Sequence, residues 1–185
     1  MAHISSIGAG LFTDLSVATA TVTPTIAAYT AKSDFDALFD TAAELTRIKN
    51  VREFPGIGTP PNIVNVPVYG QKQTQQIQGQ SDAPSMEITL NFVPADWADG
   101  TTLGDMVGDG LQHVFRFAIM NSKPNTVLAA NEYASSALGI GTTQNSYWYF
   151  IGKIEALLVN PQLTDANTAT LTISVQSDFY GAFTV

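Results

Sequence analysis

Two histidines, His3 and His113, are the only imidazoles in this 185-residue chain, and they bound the acid–base chemistry it can perform. A serine or threonine nucleophile needs a histidine, itself backed by a carboxylate, to take its proton. His3 stands among small residues near the start of the chain. His113 lies in "LQHVFRFAIM", a β-prone apolar run, so it reads as a partly buried strand residue rather than a general base. Cysteine is absent, which removes thiolate nucleophiles, disulfides and thiolate metal sites together. Asp96, Asp99, Asp105 and Asp109 form an acidic group that could suggest calcium, but their spacing does not fit a calcium-binding EF-hand loop. They are better placed in solvated turns and beside a helix start, where negative charge is favourable.

Gly8 to Gly10 ("GAG") and two "GIG" triplets lack the further glycine, the strand and the helix of a dinucleotide site, and no phosphate-binding lysine follows them. Trp97 and Trp148, with Tyr147, Tyr149 and Phe150, could stack on nucleobases. Without adjacent basic residues they read instead as core or interface aromatics. No enzyme and no cofactor is expected.

Composition narrows the partners. The formal charge of −8 arises from only 13% charged residues, against about a quarter in an ordinary globular domain. A surface so poor in charge suits a chain largely covered by neighbours. The eight Lys and Arg residues are scattered, which argues against a nucleic-acid reader with a concentrated basic face and against an acidic membrane surface. No export signal and no apolar span of membrane length is read.

The elements follow from periodicity. Residues 1–23 are small, polar and aperiodic, and read as an extended N-terminal arm that needs a neighbour to become ordered. Residues 24–185 read as a single β domain. "TIAAYTA" (Thr25 to Ala31) is a candidate strand, and "SDFDALFDTA" repeats Phe35, Leu38, Phe39 and Ala42 at helical spacing behind a Ser33/Asp36 capping pair. Leu45 to Phe54 and Asn62 to Gly70 are strand-like, Pro67 confining the latter to an edge or bulge. Residues 71–84, with six glutamines and the lone apolar Ile77, read as a long exposed loop. Met86, Ile88, Leu90 and Phe92 alternate with Ser85, Glu87, Thr89 and Asn91, the period of a half-buried strand. Thr102 and Asp105 then cap a short helix that presents Leu103, Met106 and Val107 on one face. "LQHVFRFAIM" is a strand, residues 121–146 a surface insertion, and Ser146 to Asn160 with Thr168 to Asp178 the clearest hairpin.

The order of "LTRIKNVREFPGIG", "NIVNVPVYG", "QKQTQQIQGQSDAP", "SMEITLNFVPAD", "TTLGDMVGDG", "HVFRFAIM" and "FIGKIEALLVNPQLTDANTATLTISV" resembles the major tail tube proteins of phages with long non-contractile tails. It is more distantly similar to the tube proteins of contractile tails and type VI secretion systems. The resemblance spans roughly Thr25 to Phe183. It includes no match to the C-terminal immunoglobulin-like domain of some relatives, and residues 121–146 depart from the compact pattern.

What the resemblance implies is a mainly β fold of two packed antiparallel sheets, a β-sandwich or barrel, with a short flanking α-helix carrying Leu103, Met106 and Val107. Six copies would close a ring, and rings would stack into a hollow tube in the virion tail, assembled in the host cytoplasm. Partners would be further copies of the chain, a tape-measure protein, tail terminator and baseplate proteins, and double-stranded DNA passing through without specific binding. Gln71, Lys72, Gln73, Gln75, Gln76, Ile77, Gln78 and Gln80 would form an inter-ring stacking loop, and Glu87 and Glu155 are candidate lumen acids. The alternatives are a baseplate-hub or tail-completion protein or a secretion tube. From other classes, they are a small-ligand-binding β-sandwich or a glycosidase using paired carboxylates.

Overall fold

Alternation decides where the strands form. The computed structural model describes residues 12–21, 29, 31–41, 43–58, 63–70, 72–78, 85–120 and 145–184. Strand β6 (Ser85–Asn91) buries Met86, Ile88 and Leu90, and β9 (Thr168–Val175) buries Ala169, Leu171, Ile173 and Val175. The two pair antiparallel in unbroken register from Ser85 opposite Ser174 to Asn91 opposite Thr168, so both present one apolar and one polar face.

These belong to an eight-stranded sheet. Its path runs β2 (Leu45–Arg47), β1 (Asp14–Thr21), β7 (His113–Ile119), β8 (Ser146–Asn160), β9, β6 and β3 (Val51–Glu53). The eighth strand, β10 (Tyr180–Thr184), continues β9 along β8, with Val175 opposite Gly152 and Thr184 opposite Ser146. Between them the chain bulges, and the Ser177 hydroxyl accepts from the Ile151 N–H at 2.8 Å in place of a backbone carbonyl.

The connection from β2 to β3 shows that this sheet curls. Seven strands laid flat would separate the outermost two by about 29 Å, six spacings of about 4.8 Å. Arg47 and Val51 terminate those two strands only four residues apart, a reach of at most about 15 Å. The sheet therefore folds over on itself, giving the sandwich or barrel that the resemblance implies. Its interior holds Leu15, Val17, Met86, Ile88, Phe115, Phe150 and Leu171, with the Phe115 and Phe150 rings stacked at 5.1 Å.

Strand β7 and the first half of β8 are buried on both faces because a second layer lies outside them. Helix α1 (Lys32–Asp36) and the 3-10 turn Ala37–Phe39 lay Phe35 and Phe39 over Ala18, Val114, Ala118, Tyr147 and Tyr149. Phe35 stacks on Tyr149 with centroids 4.9 Å apart, and the Tyr149 hydroxyl donates to Asp36 Oδ1 at 2.6 Å. Helix α2 (Thr102–Met106) turns Leu103 and Met106 into the curled interior, where Val107 is half-buried. It is tied down by the Gly108 N–H, which donates to the Ile154 carbonyl at 2.9 Å.

The structure corrects several expectations. Residues 14–21 are not part of an arm: β1 is a central strand whose Leu15, Val17 and Ala18 are fully buried. Its small residues conceal this. Ser16 and Ala18 lie beneath the outer layer, where a close-packed helix leaves no room for bulk, so the strand shows little apolar area. The strand read over Leu45 to Phe54 is two strands, broken where Asn50 adopts a left-handed conformation at φ 60°. Thr101, not Thr102, caps α2, its Oγ accepting from the Gly104 N–H at 3.1 Å, while the Asp105 carboxylate accepts from the Gly100 N–H. At α1 the carboxylate of Asp34 accepts from the Ala31 N–H, so the Ser33/Asp36 pairing does not form the cap. The insertion ends before Ser146, which opens β8; residues 121–144, and most of the strand read over Thr25 to Ala31, lie outside the described residues.

Candidate assembly surfaces

The segment read as a glutamine-rich loop is half of a hairpin. Strands β4 (Ile63–Val66) and β5 (Gln75–Gln78) pair antiparallel, with Val64 opposite Ile77 and Asn65 opposite Gln76. Pro67 falls just outside the ladder, where its missing N–H costs nothing, and Gly70 takes a left-handed φ of 84° in the turn. No apolar alternation marks β5, because its only apolar side chain is Ile77. Its strand character comes from the partner, which is why the loop reading fails there.

Among the described residues, β4 and β5 pair only with each other. Ile63, Val64 and Ile77 are 60%, 53% and 57% exposed, Val68 is exposed, and Tyr69 is wholly so. Lys72, Gln73, Gln75 and Gln76 are also exposed. Gln78 supplies backbone to the ladder; Gln71 and Gln80 lie outside the described residues. A two-stranded ribbon without a third strand or a covering helix is marginal in water. An exposed, uncharged one is a template for association.

A second surface is the polar face of β6, β9 and β8. Cross-strand pairs put Glu87 beside Thr172, Thr89 beside Thr170 and Lys153 beside Ser174. Glu155 occupies an irregularity in β8 between Ile154 and Ala156, and its Oε1 accepts from Ser174 Oγ at 2.8 Å. Glu87 and Glu155, far apart in sequence, thus flank the same strand on a face made mostly of hydroxyls and amides, with Lys153 opposite Ser174 and, toward the β8–β9 turn, Leu158 opposite Thr170. Both are exposed.

The remaining polar clusters serve the fold. Buried Asp14 pairs with Arg47, accepts from Ser16 Oγ at 2.7 Å and lies 3.9 Å from Arg116 Nη2. Arg116 is fully buried with its guanidinium over the Phe39 ring at 4.7 Å; burial draws its pKa below the usual arginine range, and the charge of Asp14 opposes that pull. His113 is buried at the start of β7, with Nε2 3.2 Å from Asp109 Oδ2, and among the described residues no nucleophilic hydroxyl shares that contact. Asp105 and Asp109 accept backbone N–H groups, and no trio of metal-ligating side chains converges among the described residues. A cleft of about 480 Å³, lined by residues that include Ile57, Phe117, Ile119, Trp148 and Phe179, offers apolar surface but no titratable group. Trp97 and Trp148 are half-buried against the interior core, Trp148 also walling this cleft. No helix among the described residues is long and apolar enough to cross a membrane.

No protein-family model and no curated protein matches this chain. Among solved structures it is similar to the SPP1 tail tube, determined by solid-state NMR and cryo EM. The superposition covers 95% of this chain and 80% of that one, with a TM-score of 0.52 and 12% sequence identity. At that identity the likeness is one of fold: this chain folds as a tail tube subunit does, as the order of its sequence elements led one to expect.

Proposed function

We propose that this chain is a structural subunit of a phage-type tail tube. The observation that carries the reading is a tail-tube fold over nearly the whole chain, with a hairpin of uncharged strands that pairs with no third strand among the described residues. Copies close into rings, six by the resemblance, and rings stack through head-to-tail contacts into a hollow tube. The hairpin, with Lys72, Gln73, Gln75, Gln76 and Ile77 exposed, provides the inter-ring contact. Its glutamine amides donate and accept at once and can pair with a backbone edge they meet. Each such bond contributes only about 0.5–1.5 kcal/mol net, so repetition around a ring makes stacking cooperative.

The polar face of β6, β9 and β8 faces the lumen in this reading. Its threonines and serines are small and neutral, while Glu87 and Glu155, which outnumber Lys153 on that face, repel phosphates within about 8 Å at physiological ionic strength. Double-stranded DNA then passes without being held. The tube belongs to the virion tail, is assembled in the host cytoplasm around a tape-measure protein, and is bounded by terminator and baseplate proteins.

Reconstitution tests the assignment. Purified protein concentrated to the millimolar range and viewed by negative-stain electron microscopy forms hollow tubes of stacked rings if the reading holds. Isolated rings indicate a hub or completion protein, and monomers at every concentration contradict self-assembly.

A further inference from the structure

The large exposed apolar residues are not scattered. Of the ten among the described residues, Ile63, Val64, Val68, Tyr69 and Ile77 lie on the β4–β5 hairpin and its turn, and Leu158, Val159 and Leu163 lie on the far half of β8 and the turn after it. Two patches on projecting hairpins thus hold eight of the ten, far from the random placement that needs no explanation.

Strand register places the points where the chain leaves and re-enters the sheet for the hairpin at the end opposite the β8–β9 turn. On β6, Asn91 stands opposite Thr168 beside the β8–β9 turn, whereas Ser85 marks the other end. The chain enters β6 at Ser85 from β5, and it leaves β3, which runs antiparallel to β6, toward that same end on its way to β4. Both connectors of the hairpin therefore depart from the end away from Leu158 and Leu163.

Edge chemistry distinguishes these two patches from the other open edges. β2 and β3, the outermost strands of the sheet path, are three residues long and carry Arg47, Arg52 and Glu53, charges that discourage strand addition. β7 ends opposite Gly152, so β8 from Ala156 to Asn160 has β9 on one side and no strand on the other among the described residues. That stretch, "ALLVN", holds no charge and no proline, and neither do "IVNV" of β4 and "QQIQ" of β5. The lengths are similar, four residues against five.

We infer that the apolar β4–β5 hairpin of one copy docks on the β8–β9 tip of a second copy, over Leu158, Val159 and Leu163. The inference rests on the tail-tube reading and names the surface that receives the hairpin. Two different patches form a heterologous contact, which repeats indefinitely along an axis instead of closing as a symmetric dimer does. The third strand that the hairpin lacks is supplied by the neighbour.

A chain without cysteine allows a direct test, because any introduced pair is the only pair. The double variant Ile77→Cys/Leu158→Cys, oxidised under assembling conditions, yields a ladder of disulfide-linked multimers on a non-reducing gel, whereas Ile77→Cys/Arg52→Cys yields none. Leu158→Asp and Leu163→Asp, both on exposed side chains, keep the monomer's circular dichroism and raise the protein concentration needed for assembly at least tenfold. If tubes form but the ladder appears only with Arg52→Cys, or if both aspartate variants assemble at the wild-type concentration, the receiving surface is elsewhere and the tube reading stands. If the wild-type chain never assembles, the tube reading falls and the inference falls with it.

Discussion

Val64 and Ile77 stand directly opposite each other across a two-stranded ribbon, and each leaves more than half of its surface in water. Non-polar cross-strand pairs usually stabilise a sheet by covering each other and a core beneath. This pair has no core beneath it within its own sheet, which contains only β4 and β5. No described element of the chain covers it, and a neighbouring copy can.

Replacing residues 63–78 by a tight Asn-Gly turn therefore leaves a soluble, β-rich protein. Thermal unfolding followed by circular dichroism shifts by only a few degrees, since no core residue is removed, while electron microscopy finds single rings or no assembly. Tubes of normal length from this variant would place ring stacking on another element.

Asp14 holds two arginines, one of them wholly buried. Asp14→Ala removes the carboxylate that both guanidinium groups share, and losing one partner of a buried pair costs about 3–5 kcal/mol. Urea unfolding should register a loss of that size; a loss under about 1 kcal/mol, the level of an exposed pair, would mean that Arg116 is satisfied by its other neighbours. The same strand decides which truncation is tolerated. Removing residues 1–11 leaves β1 intact, whereas removing residues 1–23 deletes a central strand and yields insoluble protein.

Glu87 is exposed on the polar face and forms no ion pair among the described residues, so Glu87→Lys leaves thermal unfolding and ring formation unchanged. In a lumen, the reversal attracts phosphate. Virions carrying it eject DNA more slowly, and the delay shrinks as salt is raised. Wild-type ejection kinetics at low salt would put this face on the outside of the tube.

The sequence displays best what one face alone determines. Met86, Ile88 and Leu90 in β6, and Ala169 to Val175 in β9, announce themselves because water lies on one side and the core on the other. Leu103 and Met106 are equally plain, although the cap falls one residue earlier, on Thr101. What stays hidden depends on a third party. β1 looks like a polar arm because α1 and the adjoining 3-10 turn, which follow it in the chain, seal its second face. β5 looks like a loop because its ladder is built by β4. Leu158 and Val159 look like core, being the continuation of an apolar strand, and only the register shows that β8 outruns β7 there. The run "ALLVN", three consecutive large apolar residues that no single face of a strand can bury, was the available sign.

The most direct test of the central claim is electron microscopy of the purified wild-type chain across a concentration series. The account requires hollow tubes of uniform diameter, built of regularly stacked rings, above a threshold concentration. Particles that stay monomeric at millimolar protein, with the domain folded and the hairpin intact, would contradict it.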